Sequence, residues 1–351
     1  MTANIAKLIV FDKWMDGKAI ELLTETDVLD LVRLEQVRGP AANEPELLTM
    51  HGYQILPRTE LDPIYLADRA FVSRMPNLLA VSSTGAGYDM IDVDACTEAG
   101  IIVVNQSGAN KEAVAEHAFG LILGLSKKIT AADRGMRTID RMSRTNFVGN
   151  DIAGKTLGLI GIGQIGTRAA EIAKAFRMQV IAYDPPVSAA DTAARGAEKV
   201  DWETLFRESD YISVHCPRTA ETLGMIDATA FKLMKPTAYF VTTARGGIHN
   251  EQDLAAALEA GQLAGAGLDV WWEEPTPSAH PLLKFENVIA TPHNAGVTEE
   301  AVTNMRVWAA EQWIDIFRGK VPPRLINPQA WEQYRERFAE RLGFLPEPLP
   351  A

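Results

Sequence analysis

Short apolar runs alternate with segments of helical spacing along most of the chain. Before about residue 105 the runs are continuously apolar: LIVF (8–11), GYQIL (52–56), LLAVSS (78–83) and IIVVN (101–105). Runs of this kind are typical of parallel strands that are covered on both faces. Residues 61–71 and 92–99 have helix-like spacing between them. The first third of the chain therefore predicts a β-α-β series, which contains no glycine-rich phosphate loop.

The middle of the chain, from about residue 106 to 294, repeats strand and helix more regularly. It opens with a helical stretch at 111–129, and helical segments follow at 165–176 and 250–260. The predicted strands are TLGLIG (156–161), QVIAYD (179–184), YISVH (211–215), AYFVTT (238–243), GAGLDV (265–270) and NVIATP (287–292). Strands that alternate with helices predict a doubly wound α/β sheet.

From residue 295 onward the pattern is helical. One helix is predicted at 299–318, and a second, amphipathic stretch covers 329–342. Because apolar positions at helical spacing indicate packing, we expect the second stretch to cover its own or a neighbouring subunit. The length of 351 residues fits about two domains.

Charge and composition exclude several function classes. The formal net charge of -12 opposes binding to nucleic acid and to anionic lipid. The apolar stretch around 119–125 is far shorter than the ~20 residues of a membrane span, and the run at 8–11 is too short for a signal peptide. Cys96 and Cys216 are too few for a disulfide framework or a thiolate metal site. We therefore expect a cytoplasmic protein that binds no metal.

A glycine motif lies between the predicted strand at 156–161 and the helix at 165–176. Gly161 permits a tight turn, Gly163 lets the backbone approach a pyrophosphate, and Gly166 lets helix and strand pack closely. Asp184 ends the next strand, at the spacing expected for the carboxylate that accepts the ribose hydroxyls. That carboxylate would repel a 2′-phosphate, so the motif predicts NAD as the cofactor.

Three later strands are each followed by one polar residue suited to carbonyl reduction: Arg245, Glu274 and His293. The carboxyl ends of parallel strands meet at one edge of a sheet. An arginine pairs bidentately with a carboxylate, a histidine can donate a proton near neutral pH, and a carboxylate orients an imidazole. The three residues predict hydride transfer between a nicotinamide and a small 2-hydroxy or 2-oxo acid.

In combination, six motifs resemble the D-isomer-specific 2-hydroxyacid dehydrogenases, which include phosphoglycerate, glycerate and D-lactate dehydrogenases. The resemblance covers about residues 50 to 327, and its motifs are STGAGYDMID (83–92), VAEHAFGLIL (114–123), GKTLGLIGIGQIG (154–166), TARGGIHNE (243–251), GLDVWWEEP (267–275) and ATPHNAG (290–296).

The resemblance implies specific roles for residues of this chain. Arg245 would bind the substrate carboxylate, Glu274 would support the histidine, and His293 would act as acid and base. Backbone amides of one loop would help to hold the carboxylate; this loop comprises Ser83, Thr84, Gly85, Ala86 and Gly87. Besides the three glycines, the family's cofactor contacts fall on Gln164, Ile165, Asp184, His215, Cys216, Pro217, Thr243, Ala244, Arg245 and Asp269.

The resemblance also implies an architecture. Two Rossmann- or flavodoxin-like domains would flank a cleft, with an NAD-binding domain (106–294) inserted into a substrate-binding, catalytic domain (1–105 plus 295–351). Such enzymes are usually homodimers. The chain departs from the family pattern at Thr242-Thr243, His249-Asn250 and Asn294-Ala295, which leaves the substrate open. An alternative is an NAD(H)-sensing, corepressor-like protein of the same fold with little turnover.

Several polar and aromatic residues have a structural interpretation beside the functional one. Asp269 binds the nicotinamide carboxamide or caps a turn. We expect packing roles for Trp271 and Trp272, and a hydrogen-bonded structural role for His117. We interpret His215 as a residue of the cofactor loop. We expect His51, His249 and His280 to be surface or loop residues.

Overall fold

The structure is a computed structural model, and it describes residues 5–12 and 17–350. Residues 1–4, 13–16 and 351 lie outside the described part. Within the described part, no helix combines the length and the apolar character needed to cross a membrane.

The strands and helices follow the predicted alternation. The strands are β1 (Ala6–Phe11), β2 (Leu29–Leu34), β3 (Gly52–Ile55), β4 (Ala80–Ser83), β5 (Ile102–Val104), β6 (Thr156–Ile160), β7 (Gln179–Tyr183), β8 (Glu198–Lys199), β9 (Tyr211–Val214), β10 (Tyr239–Thr242), β11 (Gly265–Leu268) and β12 (Val288–Ala290). The α-helices are α1 (Lys18–Thr24), α2 (Pro40–Leu47), α3 (Arg69–Arg74), α4 (Val93–Glu98), α5 (Lys111–Ser126), α6 (Ile129–Thr138), α7 (Gln164–Ala175), α8 (Ala189–Ala194), α9 (Trp202–Glu208), α10 (Ala228–Leu233), α11 (Glu251–Glu259), α12 (Glu299–Phe317) and α13 (Trp331–Leu342).

The chain divides into two compact units, one formed by Met1–Asn110 with Glu299–Ala351 and the other by Lys111–Thr298. These divisions come slightly later than the expected ones after residues 105 and 294. Hydrogen bonds keep the connecting segment with the first unit, because Gln106 N donates to Gly85 O at 2.9 Å.

The first unit contains a parallel sheet with the order β2-β1-β3-β4-β5. This order is that of a flavodoxin-like sheet. Apart from the partly exposed Lys7 of β1, the strands at its centre are buried, as the continuous apolar runs predict. Strand β2 lies at the edge, and its exposed Asp30 and Arg33 break the apolar run that would have marked it as a strand.

The single helix expected at 61–71 is wrong. A 3-10 turn at Pro63–Tyr65 is followed by the separate helix α3. The carboxylate of Asp68 accepts a hydrogen bond from Phe71 N at 2.7 Å and so starts the new helix.

The C-terminal segment packs on its own unit. Trp331, Tyr334, Phe338 and Leu342 lie on one face of α13 and are each no more than 1% exposed. The indole of Trp331 also donates to Glu347 O at 3.0 Å, which fastens the residues after the helix.

The second unit contains a parallel sheet with the order β12-β11-β10-β9-β6-β7-β8. The chain starts in the middle at β6, continues outward through β7 and β8, and then crosses to β9 on the other side of β6. Ligands of such sheets bind where the strand order reverses, beyond the carboxyl ends of the strands. The fold therefore places the ends of β6 and β9 at the expected ligand site.

Candidate active site

The glycine turn after β6 is shaped by close backbone contacts. Gly161 has a φ of +94°, and a Cβ there would lie 2.7 Å from Cys216 N in the turn after β9. A Cβ on Gly166 would lie 2.2 Å from the carbonyl oxygen of Gly161. A Cβ on Gly163 would meet no atom within 4 Å. The turn thus packs tightly on the protein side and leaves Gly163 accessible, as a pyrophosphate requires.

A helix start and a carboxylate adjoin this turn. Gly163 is the N-cap of α7, whose first residues are Gln164 and Ile165, so the first amides of the helix face the turn. Asp184 follows β7, and its Oδ2 accepts a hydrogen bond from Ile162 N at 2.9 Å. The predicted ribose carboxylate therefore lies beside the glycine turn.

The turn after β9 carries two titratable side chains that burial keeps neutral. Burial lowers the pKa of His215 to about 4, and its Nε2 lies 2.9 Å from Ser213 Oγ. Burial raises the pKa of Cys216 to about 12, so this side chain is a thiol at neutral pH. The carbonyl of Pro217 accepts a hydrogen bond from Thr222 Oγ1 at 2.7 Å, which closes the turn.

The segment after β10 presents Arg245 on a turn that requires glycine. Arg245 is partly buried, and its Nη1 donates to Ala244 O at 2.7 Å. A Cβ on Gly246 would lie 1.7 Å from Trp271 O, so only glycine fits there. In the described part of the chain, the buried hydroxyls of Thr242 and Thr243 have no hydrogen-bond partner. Polar atoms in this state are candidates for ligand contacts.

Glu274 and His293 form a hydrogen-bonded pair. Nδ1 of His293 lies 2.7 Å from Oε2 of Glu274, while Oε1 accepts from Trp271 N at 2.9 Å. Burial acts to raise the pKa of Glu274, but the hydrogen bond and charge of His293 and the charge of Arg245 outweigh it, so the pKa lies below its ordinary value. Glu274 is therefore hydrogen-bonded to His293 and also feels the charge of Arg245.

A second carboxylate, that of Asp269, holds the loop on which His293 sits. Asp269 is fully buried. Its Oδ1 accepts from Thr291 Oγ1 at 2.6 Å and from Asn294 N at 2.9 Å, and its Oδ2 accepts from Ala295 N at 3.0 Å. His293 lies between these anchors with a φ of +58°, an uncommon conformation for a side chain other than glycine. The sequence identified Asp269 but not this role, since its partners lie more than twenty residues away.

The loop predicted to bind the substrate carboxylate belongs to the first unit. Several of its groups are bonded within that unit: Ser83 Oγ donates to Gly87 O, and Thr84 Oγ1 donates to Ile55 O at 2.7 Å. The carbonyl of Gly85 accepts from Gln106 N, and that of Ala86 accepts from Asn105 Nδ2 at 2.7 Å. These bonds fix the carbonyls of the loop within the unit.

One histidine and one tryptophan differ in part from the expectation. His249 lies in the loop between β10 and α11, as expected, but it is only 2% exposed rather than on the surface, and burial lowers its pKa to about 4. Trp271 packs as expected and donates through Nε1 to Thr291 O at 3.0 Å. Trp272 is 67% exposed, although its ring covers Gly247. Sequence alone did not separate the two tryptophans, because both follow the same strand.

Among the described residues, no group of three or more histidine, cysteine, aspartate or glutamate side chains is arranged to hold a metal ion.

Comparison with known proteins identifies relatives of this chain. Residues 119–295 match the model of the D-isomer specific 2-hydroxyacid dehydrogenase, NAD binding domain. The chain is 42% identical over 260 residues to a D-3-phosphoglycerate dehydrogenase of Archaeoglobus fulgidus, an alignment that covers 74% of this chain and 49% of the relative. It is 40% identical over 279 residues to a glyoxylate reductase of Aeropyrum pernix, covering 76% of this chain and 83% of the relative.

A crystal structure shares the fold over nearly the whole chain. It is that of a glyoxylate reductase from Paecilomyes thermophila, with a TM-score of 0.83 and 27% identity, covering 93% of this chain and 99% of the other. The chain spans about half the length of the phosphoglycerate dehydrogenase it matches. The family match and these similarities agree with the two parallel-sheet α/β units, and the chain belongs to the D-isomer specific 2-hydroxyacid dehydrogenase family.

Proposed function

We propose that this protein is an NAD-dependent oxidoreductase that reduces a small 2-oxo acid, or oxidises the matching D-2-hydroxy acid. The observation that carries the proposal is the 2.7 Å contact between His293 Nδ1 and Glu274 Oε2. A carboxylate only accepts hydrogen bonds, so Nδ1 carries a proton. The other ring nitrogen, Nε2, is then the atom that exchanges a proton with substrate.

The residues after β6 and β7 and at the end of β10 fit a dinucleotide. Gly163 offers an open backbone approach, Asp184 supplies a carboxylate beside it, and Thr242 and Thr243 carry unpartnered buried hydroxyls. When bound, the nicotinamide supplies or accepts the hydride. Asp184 favours NAD, because a carboxylate repels a 2′-phosphate.

Arg245, His293 and Glu274 would each have a separate role in substrate binding and proton transfer. The guanidinium of Arg245 binds the substrate carboxylate and polarises the adjacent carbonyl. His293 donates its Nε2 proton to the carbonyl oxygen during reduction and takes it back during oxidation. Glu274 accepts the hydrogen bond from Nδ1 and so holds the ring with Nε2 available to the substrate. The overall reduction consumes one 2-oxo acid, one NADH and one proton, and yields the 2-hydroxy acid and NAD.

Each unit has a proposed part in this reaction. Residues 106–294 would bind NAD, and residues 1–105 with 295–351 would bind substrate, with the amides of the Ser83–Gly87 loop on its carboxylate. The homodimer and the cytoplasmic location stay predictions.

Steady-state oxidation of NADH tests the proposal. We expect turnover with at least one 2-oxo acid among glyoxylate, pyruvate, hydroxypyruvate and phosphohydroxypyruvate, and none with acetone, which lacks the carboxylate. The ratio of kcat/KM for NADH and NADPH should favour NADH. NADH binding without turnover of any of these acids would contradict the proposed oxidoreductase activity and support the corepressor-like alternative.

A further inference from the structure

A histidine on α5 contacts the loop that carries His293. Nε2 of His117 lies 3.1 Å from Thr291 Oγ1 and 3.7 Å from Asp269 Oδ1. The side chain of His117 is 23% exposed, whereas that of Asp269 is 1% exposed. The contact therefore connects the partly exposed His117 to the buried carboxylate of Asp269.

The direction of each hydrogen bond that links His117, Thr291 and Asp269 follows from the chemistry of the groups. Both oxygens of Asp269 accept hydrogen bonds from backbone amides, and Thr291 Oγ1 donates to Asp269 Oδ1 at 2.6 Å. The single hydroxyl proton of Thr291 therefore goes to Asp269. Thr291 Oγ1 then has only lone pairs left, so the proton shared with His117 must come from Nε2 of the imidazole. This holds for the neutral ring and for the protonated ring.

These hydrogen bonds hold the backbone on both sides of His293. Asp269 accepts from the side chain of Thr291, two residues before His293, and from the amides of Asn294 and Ala295, just after it. Because His293 has a φ of +58°, its backbone depends on surrounding contacts to keep this conformation.

We propose that His117 is a positioning residue for His293. Its Nε2–H fixes the hydroxyl of Thr291, the hydroxyl directs its proton to Asp269, and Asp269 holds the loop so that the ring of His293 meets Glu274. The part of this proposal that concerns catalysis rests on the proposed function.

Kinetic variants separate positioning from a general packing role. His117→Leu removes the donor and keeps an apolar side chain, whereas His117→Gln retains a nitrogen donor at a similar distance from the backbone. We expect the Leu variant to lose about ten-fold or more in kcat, because small misplacements of reacting groups are costly. KM for NADH should change less than about two-fold, and the Gln variant should recover most of kcat.

A double-mutant cycle tests the connection through Thr291. Thr291→Val removes the hydroxyl, and the His117→Leu/Thr291→Val variant should have a kcat close to that of the worse single variant. His51→Leu is the matched control, because His51 accepts a backbone hydrogen bond from Lys7 in the first unit. This control should keep its kcat. An unchanged kcat in His117→Leu, independent effects in the cycle, or equal losses in the Leu and Gln variants would overturn the proposal.

A spectroscopic measurement requires no turnover. In protein labelled with ¹⁵N-histidine, the ring of His117 should carry a proton on Nε2, and the ring signals of His293 should shift in His117→Leu but not in His51→Leu. A His117 ring protonated only on Nδ1, or His293 signals unchanged in the Leu variant, would refute the positioning role. If the wild-type protein reduces no 2-oxo acid, the proposed function fails, while these spectra still decide whether His117 positions His293.

Discussion

Nδ1 of His293 lies 2.7 Å from Oε2 of Glu274, although the two residues are 19 positions apart. The other oxygen of Glu274 accepts from Trp271 N, so the carboxylate is held by the backbone of its own loop while it orients the imidazole. This pair connects the turn after β11 to the turn after β12. It makes the proton donor of the proposed reaction a rigid group.

His293→Ala removes that donor. We expect kcat for 2-oxo acid reduction to fall by about 10²- to 10⁴-fold, while the affinity for NADH, measured by fluorescence titration, changes little. His51→Ala, in the first unit, is the control and should retain kcat. Turnover near the wild-type value would show that another group supplies the proton.

Glu274→Gln tests the orientation of the ring. The amide oxygen can still accept from Trp271 N, but its NH₂ group then faces Nδ1 of His293 and favours the wrong tautomer. We expect kcat to fall by about ten-fold or more, with KM for NADH unchanged. An unaltered kcat would mean that the carboxylate does not orient the imidazole.

The same variant has a pH signature in stability. The folded-state pKa of Glu274 lies below its ordinary value, so its stabilising contribution is present above the ordinary pKa of about 4.3 and is lost as the pH falls through the lower folded value. The difference in unfolding free energy between wild type and Glu274→Gln should therefore be constant near neutral pH and shrink in acid. A difference that grows in acid would contradict the direction of the shift.

Arg245→Lys tests the substrate anchor. An ammonium group cannot reproduce the two parallel hydrogen bonds of a guanidinium on a carboxylate. We expect KM for the 2-oxo acid to rise and kcat to fall, whereas the exposed Arg207→Lys on α9 should leave both constants unchanged. Normal kinetics in Arg245→Lys would indicate that another group holds the carboxylate.

Two glycine-to-alanine variants test the cofactor turn against a matched helix position. In Gly166→Ala the new Cβ would lie 2.2 Å from Gly161 O, so the turn must move, and we expect NADH affinity to drop by about ten-fold or more with a stability loss of about 1–3 kcal/mol. Gly120 lies on α5 with no atom within 4 Å of a Cβ. Gly120→Ala should therefore stabilise the protein by about 0.5–1 kcal/mol and leave binding intact. Equal NADH affinity in the two variants would argue against the role of Gly166.

His249 predicts a loss of stability in mild acid. Its folded-state pKa is about 4 because of burial, and both ring nitrogens lack partners within the described chain. The unfolded chain takes up the proton first, so the stability present above about pH 6.5 is lost as the pH falls toward 4, by about 1 kcal/mol per pH unit. His249→Leu should show a shallower fall in denaturant unfolding between pH 6.5 and 5, and the exposed Glu116→Gln should not. Parallel curves for wild type and His249→Leu would contradict the assignment.

Most of the sheet architecture was predictable because its signals are local. Continuously apolar runs identified the central strands, and the glycine spacing identified the turn after β6, where a Cβ would meet the backbone. Strand β2 was missed because an edge strand has charged positions, and the helix at 61–71 was wrong because Asp68 begins a new helix.

The sequence by itself determined the α/β class and the glycine turn and led to the proposal of the polar trio, since residue type and spacing along single strands are sufficient for these. Only the tertiary structure decided which atoms meet. Three features depend on segments that are distant in sequence: the hydrogen bonds of Asp269 to the loop of His293, the contact of His117 with Thr291, and the burial of His249. A hydrogen bond requires a donor and an acceptor within about 3 Å, and that distance is set by how strands and helices pack.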